Sequence, residues 1–180
     1  SRYPILEKKN KKGGCVRVLT MLGNTLANLD NEVRFFRDTL SGCVSGDYFL
    51  ADFTVAHASA DDPDEIRRKD PVLRTPIPAA RANWLGGPLR RYCKEVRDVE
   101  VSVELDTHCT VRGSYEMLYV ATASMVGGKP ERRFVMFRTR LYDPPKLMDC
   151  LASLGWQCES LIPYAHNELN KVMLMLLRKQ

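Results

Sequence analysis

The chain has 180 residues, of which 44% are hydrophobic and 27% charged, with a net charge of +5. That suffices for one domain with a sizeable core, is short for two, and excludes disordered or fibrous classes. No apolar run reaches the roughly 18 residues of a bilayer-crossing helix. The start, SRYPILEKKNKKGG, lacks the apolar centre of a signal peptide, so a cytoplasmic location away from membranes is expected.

Six cysteines (Cys15, Cys43, Cys93, Cys109, Cys150 and Cys158) are scattered without a C-x-x-C pair, several within apolar runs. They read as free core thiols. His57, His108 and His166 stand at no ligand spacing to a cysteine pair, so no metal site is expected. The basic residues form short clusters, such as Lys8, Lys9, Lys11 and Lys12, or Arg90, Arg91 and Lys94, interleaved with acids. These read as solvated surface; a nucleic-acid groove stays open but is not specified.

In chain order, VRVLTML (Val16 to Leu22) has the density of a buried parallel strand. It leaves through Gly23 into small polar residues, and Asp30 or Asn31 caps a helix carrying Val33, Phe36 and Leu40 on one face. YFLADFTV (Tyr48 to Val55) is a second buried strand, which makes a βαβ unit. A loop and a short helix around Pro63 to Lys69 follow. The next helix is expected after Pro88, with Leu89, Tyr92, Cys93 and Val96 on one side.

The period then changes to two. VEVSVEL, YEMLYVATASMV and RRFVMFRTRLY alternate, with Gly113 and Gly127-Gly128 in the turns, as three antiparallel strands do. YDPPKLMDCLASLGW is the clearest helix: Asp143 caps it, Pro144 opens it and Gly155 closes it, with Leu147, Cys150, Leu151 and Leu154 as its stripe. WQCESLIP and KVMLMLLRK are two closing strands.

Several residues admit two readings. GNTLAN (Gly23 to Asn28) is a polar strand-to-helix turn, or a ligand loop at the carboxyl end of a strand. Asp52 orients an acceptor amine or caps a loop, with nothing to decide between them. His57, after the same strand, acts as a base or is structural; with no visible orienting partner, a structural role is the commoner fate of such a histidine. Trp84 and Tyr92 line a pocket or sit in the core, and Gly86-Gly87 opens a helix or hinges a lid. Met125, Met136, Met173 and Met175 are core filler.

The order of elements resembles the second half of a Rossmann-like methyltransferase dependent on S-adenosylmethionine (SAM), over nearly the whole chain. The nearest similarity is to the histidine-specific N-α-methyltransferase family of ergothioneine biosynthesis. Its GSTIGN stretch looks like GNTLAN here, its Gly-Gly-basic step like GGCVRV, and its TDL like ADF, Ala51 to Phe53. The fold class implied is α/β: the C-terminal half of that sheet with an antiparallel strand annex. The resemblance implies that Gly23, with Asn24 and Thr25, faces the cofactor, and that Asn28 contacts the acceptor. The acidic and hydroxyl contacts of the family's last annex strand fall near Met136 and Arg138, and its acceptor-packing tyrosine near Lys69. The substrate-binding candidates are therefore Asn28, Asp52, Met136 and Arg138; histidine is not the expected acceptor, and no catalytic residue is assigned.

No G-x-G turn follows a strand and opens a helix, and the acid that would hold the ribose is missing. The expectation is one domain over 1–180 belonging to a longer protein. Its parts are a flexible lead-in at 1–14, a strand–helix–strand unit at 15–56, a loop and helix at 57–98, the annex at 99–142 and a closing segment at 143–180. The upstream part would complete the cofactor site, with weak or no SAM binding by this chain alone and a small amine or amino-acid-like acceptor. A non-catalytic interaction domain for protein or RNA is the second reading. A small hydrolase is disfavoured, because no Ser or Cys sits in a G-x-S-x-G elbow. The edge of the first strand needs either a homodimer or a covering N-terminal segment.

Overall fold

The computed structural model describes residues 6–9, 15–128, 130–166 and 171–180. The lead-in expected at 1–14 thus lies outside them, apart from a four-residue strand, β1 (Leu6–Lys9). β2 (Cys15–Met21) and β3 (Tyr48–Val55) pair in parallel, Val18 beside Tyr48 and Met21 beside Ala51. Their crossover is a 3₁₀ turn (Thr25–Asn28) followed by α1 (Glu32–Arg34), which widens into a π turn at Phe35–Thr39. Asn31 is the N-cap, its side chain accepting from the Arg34 amide. The widening is marked by the Leu40 amide bonding to the Phe35 carbonyl. Adjacent Phe35 and Phe36 both reach the core.

β3 takes β8 (Lys171–Lys179) along one whole edge, antiparallel, from Tyr48 beside Arg178 to Thr54 beside Val172. β7 (Trp156–His166) pairs with β8 from outside, and its Pro163 is tolerated because β7 is an edge strand. The other edge of β3 is shared. β2 holds its first half, and β6 (Arg132–Tyr142) its last two residues, Thr54 beside Leu141 and Val55 beside Tyr142. β6 then runs antiparallel to β5 (Tyr115–Met125), and β5 to β4 (Val96–Asp106), giving an eight-stranded mixed sheet. β1 pairs with the first half of β2, Leu6 opposite Val18, and so covers part of the exposed edge.

The main core lies between the β2–β3–β8–β7 sheet and the flanking α1 segment and α5 (Pro144–Ser153). Phe36, Phe49 and Trp156 meet edge to face with centroids 5.2–6.1 Å apart. α5 is capped by Asp143, whose side chain accepts from the Lys146 amide, and ends before Gly155, as its signals predict. Two smaller cores lie where α2 (Pro63–Lys69), α3 (Pro71–Arg74) and α4 (Ala79–Tyr92) cover the annex. The described cysteines, Cys43, Cys93, Cys109, Cys150 and Cys158, are all free. Burial raises the thiol pKa of Cys43, Cys150 and Cys158, and pushes Cys109 up to about 12. Among the described residues, no helix is long and apolar enough to cross a membrane and no three His, Cys, Asp or Glu cluster for a metal.

α4 corrects one expectation: it starts at Ala79, not after Pro88, and Pro88 lies inside it. Burial of Leu85, Gly86 and Leu89 against the annex outweighs the hydrogen bond that proline removes. Gly86 is where the helix comes closest; a β-carbon there would stand 3.1 Å from Val99 Cγ1. The Gly86-Gly87 pair therefore lies within a packed helix. Trp84 and Tyr92 do not enter the core; both are exposed on the solvent side of α4.

Asp47, buried just before β3, ties the strands together. Its carboxylate accepts from the Arg17 amide (3.2 Å), Arg17 Nε (3.0 Å) and the Val44 amide (2.8 Å). Burial alone would raise its pKa, but these bonds to Arg17 and the Val44 amide reverse the sign and hold it below the ordinary value. A carboxylate with a depressed folded-state pKa stabilises the fold above its unfolded-state value and loses that contribution as acid protonates it. Urea denaturation across pH should therefore show stability falling below about pH 4, and Asp47→Asn should remove that part of the slope. Gly86→Leu should cost about 1–3 kcal/mol in the same assay by overpacking the α4–β4 contact.

Candidate functional site

β2 ends at Met21 while β3 runs on, and the loop that leaves β2 crosses the gap before β6 joins the sheet. Gly23 (φ 79°) and Asn24 (φ 57°) are successive left-handed residues. Their two amides therefore converge, and the Asp52 carboxylate accepts both, at 3.1 Å from Gly23 and 2.8 Å from Asn24. Asp52 is buried with both oxygens engaged, so its carboxylate holds the loop. The Asn24 side chain spans two strands. Its Oδ1 accepts from the Thr54 amide (3.2 Å) and hydroxyl (3.1 Å) on β3, and its Nδ2 donates to Thr139 Oγ1 (3.1 Å) on β6. Thr25 Oγ1 donates to the Leu22 carbonyl at 2.7 Å. Asn28 is exposed at the end of the 3₁₀ turn.

Beside this bridge lies a cavity of about 200 Å³. Asn24, Thr54 and Thr139 supply its polar side, Met117, Tyr119 and Phe137 its apolar wall. Arg81, from the first turn of α4, closes it with its guanidinium carbon 4.4 Å from the centre of the Tyr119 ring. A neighbouring cavity of about 230 Å³ shares Val72, Arg81 and Tyr119. Burial raises the Tyr119 phenol pKa, although Arg81 pulls it the other way.

The two faces of β6 divide the chemistry. Phe137, Thr139 and Leu141 face the cavity. Arg138 and Arg140 alternate with them: Arg138 pairs with Asp30, and Arg140 lies buried between Glu32 and Glu116. The Tyr142 hydroxyl stands 2.6 Å from Glu32 Oε1 and 3.0 Å from the Leu26 carbonyl, tying annex to crossover. Burial raises the Glu116 pKa and lowers that of Arg140. Glu32 Oε2 and Arg140 Nε are buried without a partner among the described residues. Met136 is the extra residue of a bulge, since Tyr119 pairs with Phe137 but Val120 with Val135. It packs into the annex cores beneath α4.

The structure thus gathers Gly23, Asn24 and Thr25 in one loop held by Asp52 of β3, and places Asn28, Met136 and Arg138 elsewhere around it. Arg81, Tyr119, Phe137, Thr54 and Thr139 were missed by sequence reasoning. Alternation along RRFVMFRTRLY held the signal for Phe137 and Thr139, but it does not say which face of the strand meets the loop.

His57 has the carboxylate partner the sequence did not reveal. Its Nε2 is 3.9 Å from Oδ2 of fully buried Asp70. Asp70 also accepts from the Tyr115 hydroxyl (2.8 Å) and the Val72 amide (2.9 Å), while the His57 amide donates to Tyr115 Oη (3.2 Å). Burial and the Asp70 charge drive the Tyr115 pKa up. Lys69 pairs with Glu65 along α2 at 2.8 Å.

No protein-family model and no curated protein sequence matches the chain. Among solved structures it is similar to a SAM-dependent methyltransferase from Clostridium acetobutylicum, with 9% identity, a TM-score of 0.41, and 90% of this chain and 57% of that one covered. The CcbJ methyltransferase from Streptomyces caelestis gives 12%, 0.39, 92% and 61%. The sugar N-methyltransferase KedS8 from a Streptoalloteichus species gives 11%, 0.38, 92% and 57%. The chain spans less than two thirds of the length of these structures.

Proposed function

We propose that this chain is the acceptor-side part of a SAM-dependent methyltransferase, acting on a small amine or amino-acid-like molecule in a protein whose upstream part completes the cofactor site. The observation that carries this reading is the cavity at the carboxyl ends of β2 and β3, where open α/β sheets bind ligands, walled by the annex and floored by the Asn24 bridge. The sheet agrees with the resemblance noted from the sequence: two parallel strands, then an antiparallel last strand, β8, between β3 and β7.

The residues present fit one flank of the cofactor. Leu22 is exposed just past the end of β2, and space is open where a Gly23 β-carbon would stand. Asn24 and Thr25 spend their side chains on shaping the loop. When bound, SAM would supply an electrophilic methyl group. The chain's own share is positioning: Asn24 and Thr139 orient the acceptor, the apolar wall excludes water, and in-line alignment carries the rate. Such a reaction needs no acid–base triad, so none has to be found.

SAM titrated calorimetrically into residues 1–180, and into the protein with its upstream residues, should bind the longer protein alone; binding by neither would sink the enzyme reading. Asn24→Gly keeps the left-handed backbone and deletes the bridge. It should lower stability by about 1–3 kcal/mol in urea denaturation and lower methyl transfer at least tenfold in the longer protein. Asn24→Ala should be less stable than Asn24→Gly, because alanine pays for the positive φ.

A further inference from the structure

We infer that Arg81 is the residue that selects the ligand of this cavity, and that the ligand is a small molecule carrying a carboxylate beside a flat apolar body. This rests on the reading of the cavity as the acceptor site and narrows the acceptor class.

The first ground is charge. The residues lining the cavity include one cation, Arg81, and no acid. The polar side offers donors: Asn24 Nδ2 has two N–H groups and spends one on Thr139, while the Thr139 hydroxyl accepts that bond and keeps its own proton. Neither spare proton has a partner among the described residues. A lining of donors and one cation complements an anionic group on the ligand.

The second ground is geometry. Arg81 lies over the Tyr119 ring, its guanidinium carbon 4.4 Å from the ring centre. A guanidinium carries five N–H donors in a planar fork that matches a carboxylate in two parallel hydrogen bonds. No described residue accepts from it. Asp70, whose charge reaches Tyr119, is committed to the Tyr115 hydroxyl and the Val72 amide. Arg81 also lines both cavities, so it stands where they adjoin. A carboxylate held there leaves Met117 and Phe137 to cover an apolar body, with the opposite end of the ligand toward Asn24 and the Gly23 loop.

The test compares phenylacetate with its neutral isostere phenylacetamide, titrated calorimetrically into the native chain, Arg81→Gln and Arg91→Gln. Arg91 lies exposed on the same helix, outside both cavities, so its variant removes the same charge without touching the site. Phenylacetate should bind the native chain and Arg91→Gln alike and lose about tenfold or more in Arg81→Gln. Phenylacetamide should bind more weakly and not respond to Arg81→Gln. Equal binding of the two probes, no loss in Arg81→Gln, or no binding of either would overturn the inference. SAM binding to the longer protein is measured on the same variants. Carboxylate discrimination without SAM binding would retire the methyltransferase reading and keep the anion site; SAM binding without discrimination would do the reverse.

Discussion

One edge of β3 has two occupants. β2 holds it as far as Ala51, and β6 takes it up at Thr54. Between them the backbone of β3 faces a gap that no strand of the described residues fills, and buried amides and carbonyls left there would each cost free energy. Asn24 closes the gap, meeting the Thr54 amide on one side and Thr139 on the other. To do so its backbone must be left-handed, and Asp52 holds it there through two amides. The strand hand-over, the loop and the cavity are one arrangement.

That arrangement explains why the two faces of β6 differ so much. On the side toward α4 the cavity wall is aromatic and the polar groups are neutral, apart from Arg81 at its boundary. On the other, Arg140 is buried between two carboxylates, and Tyr142 reaches the crossover. Burying charge is costly, and such a cluster contributes little net stability compared with apolar packing. What it supplies is uniqueness. Only one seating of the annex on the crossover places Arg140 between Glu32 and Glu116, so the cavity on the far face has fixed walls.

The legible parts of this fold were those decided locally. Tyr48–Val55, Pro63–Lys69 and the Asp143-capped helix carry their own punctuation, and the structure places them within the expected bounds. α4 was misread because its signals conflict: Pro88 marks a helix start, yet packing of Leu85 and Gly86 on β4 carries the helix through it. The candidate site was half legible. GNTLAN stood out as a loop at a strand end, but the partners of Asn24 and Asp52 lie 28 to 115 residues away along the chain. For Trp84 and Tyr92, exposure in place of burial is likewise a tertiary outcome, since α4 turns its small Gly86 side to the sheet.

The position of β8 has a consequence for how the molecule is assembled in time. The three annex strands are contiguous in sequence and joined by short turns, so their pairing closes small loops and can be quick. β3 is different: its longer edge is filled only when Tyr48 finds Arg178 and Thr54 finds Val172. During synthesis, the apolar strand Tyr48–Val55 therefore waits with one side open while more than a hundred further residues emerge. The hairpin of β7 and β8 then has to arrive as a unit, because β8 lies between β3 and β7. Nascent chains halted before β8 would expose a hydrophobic strand edge, the species that chaperones hold and that aggregates when they do not.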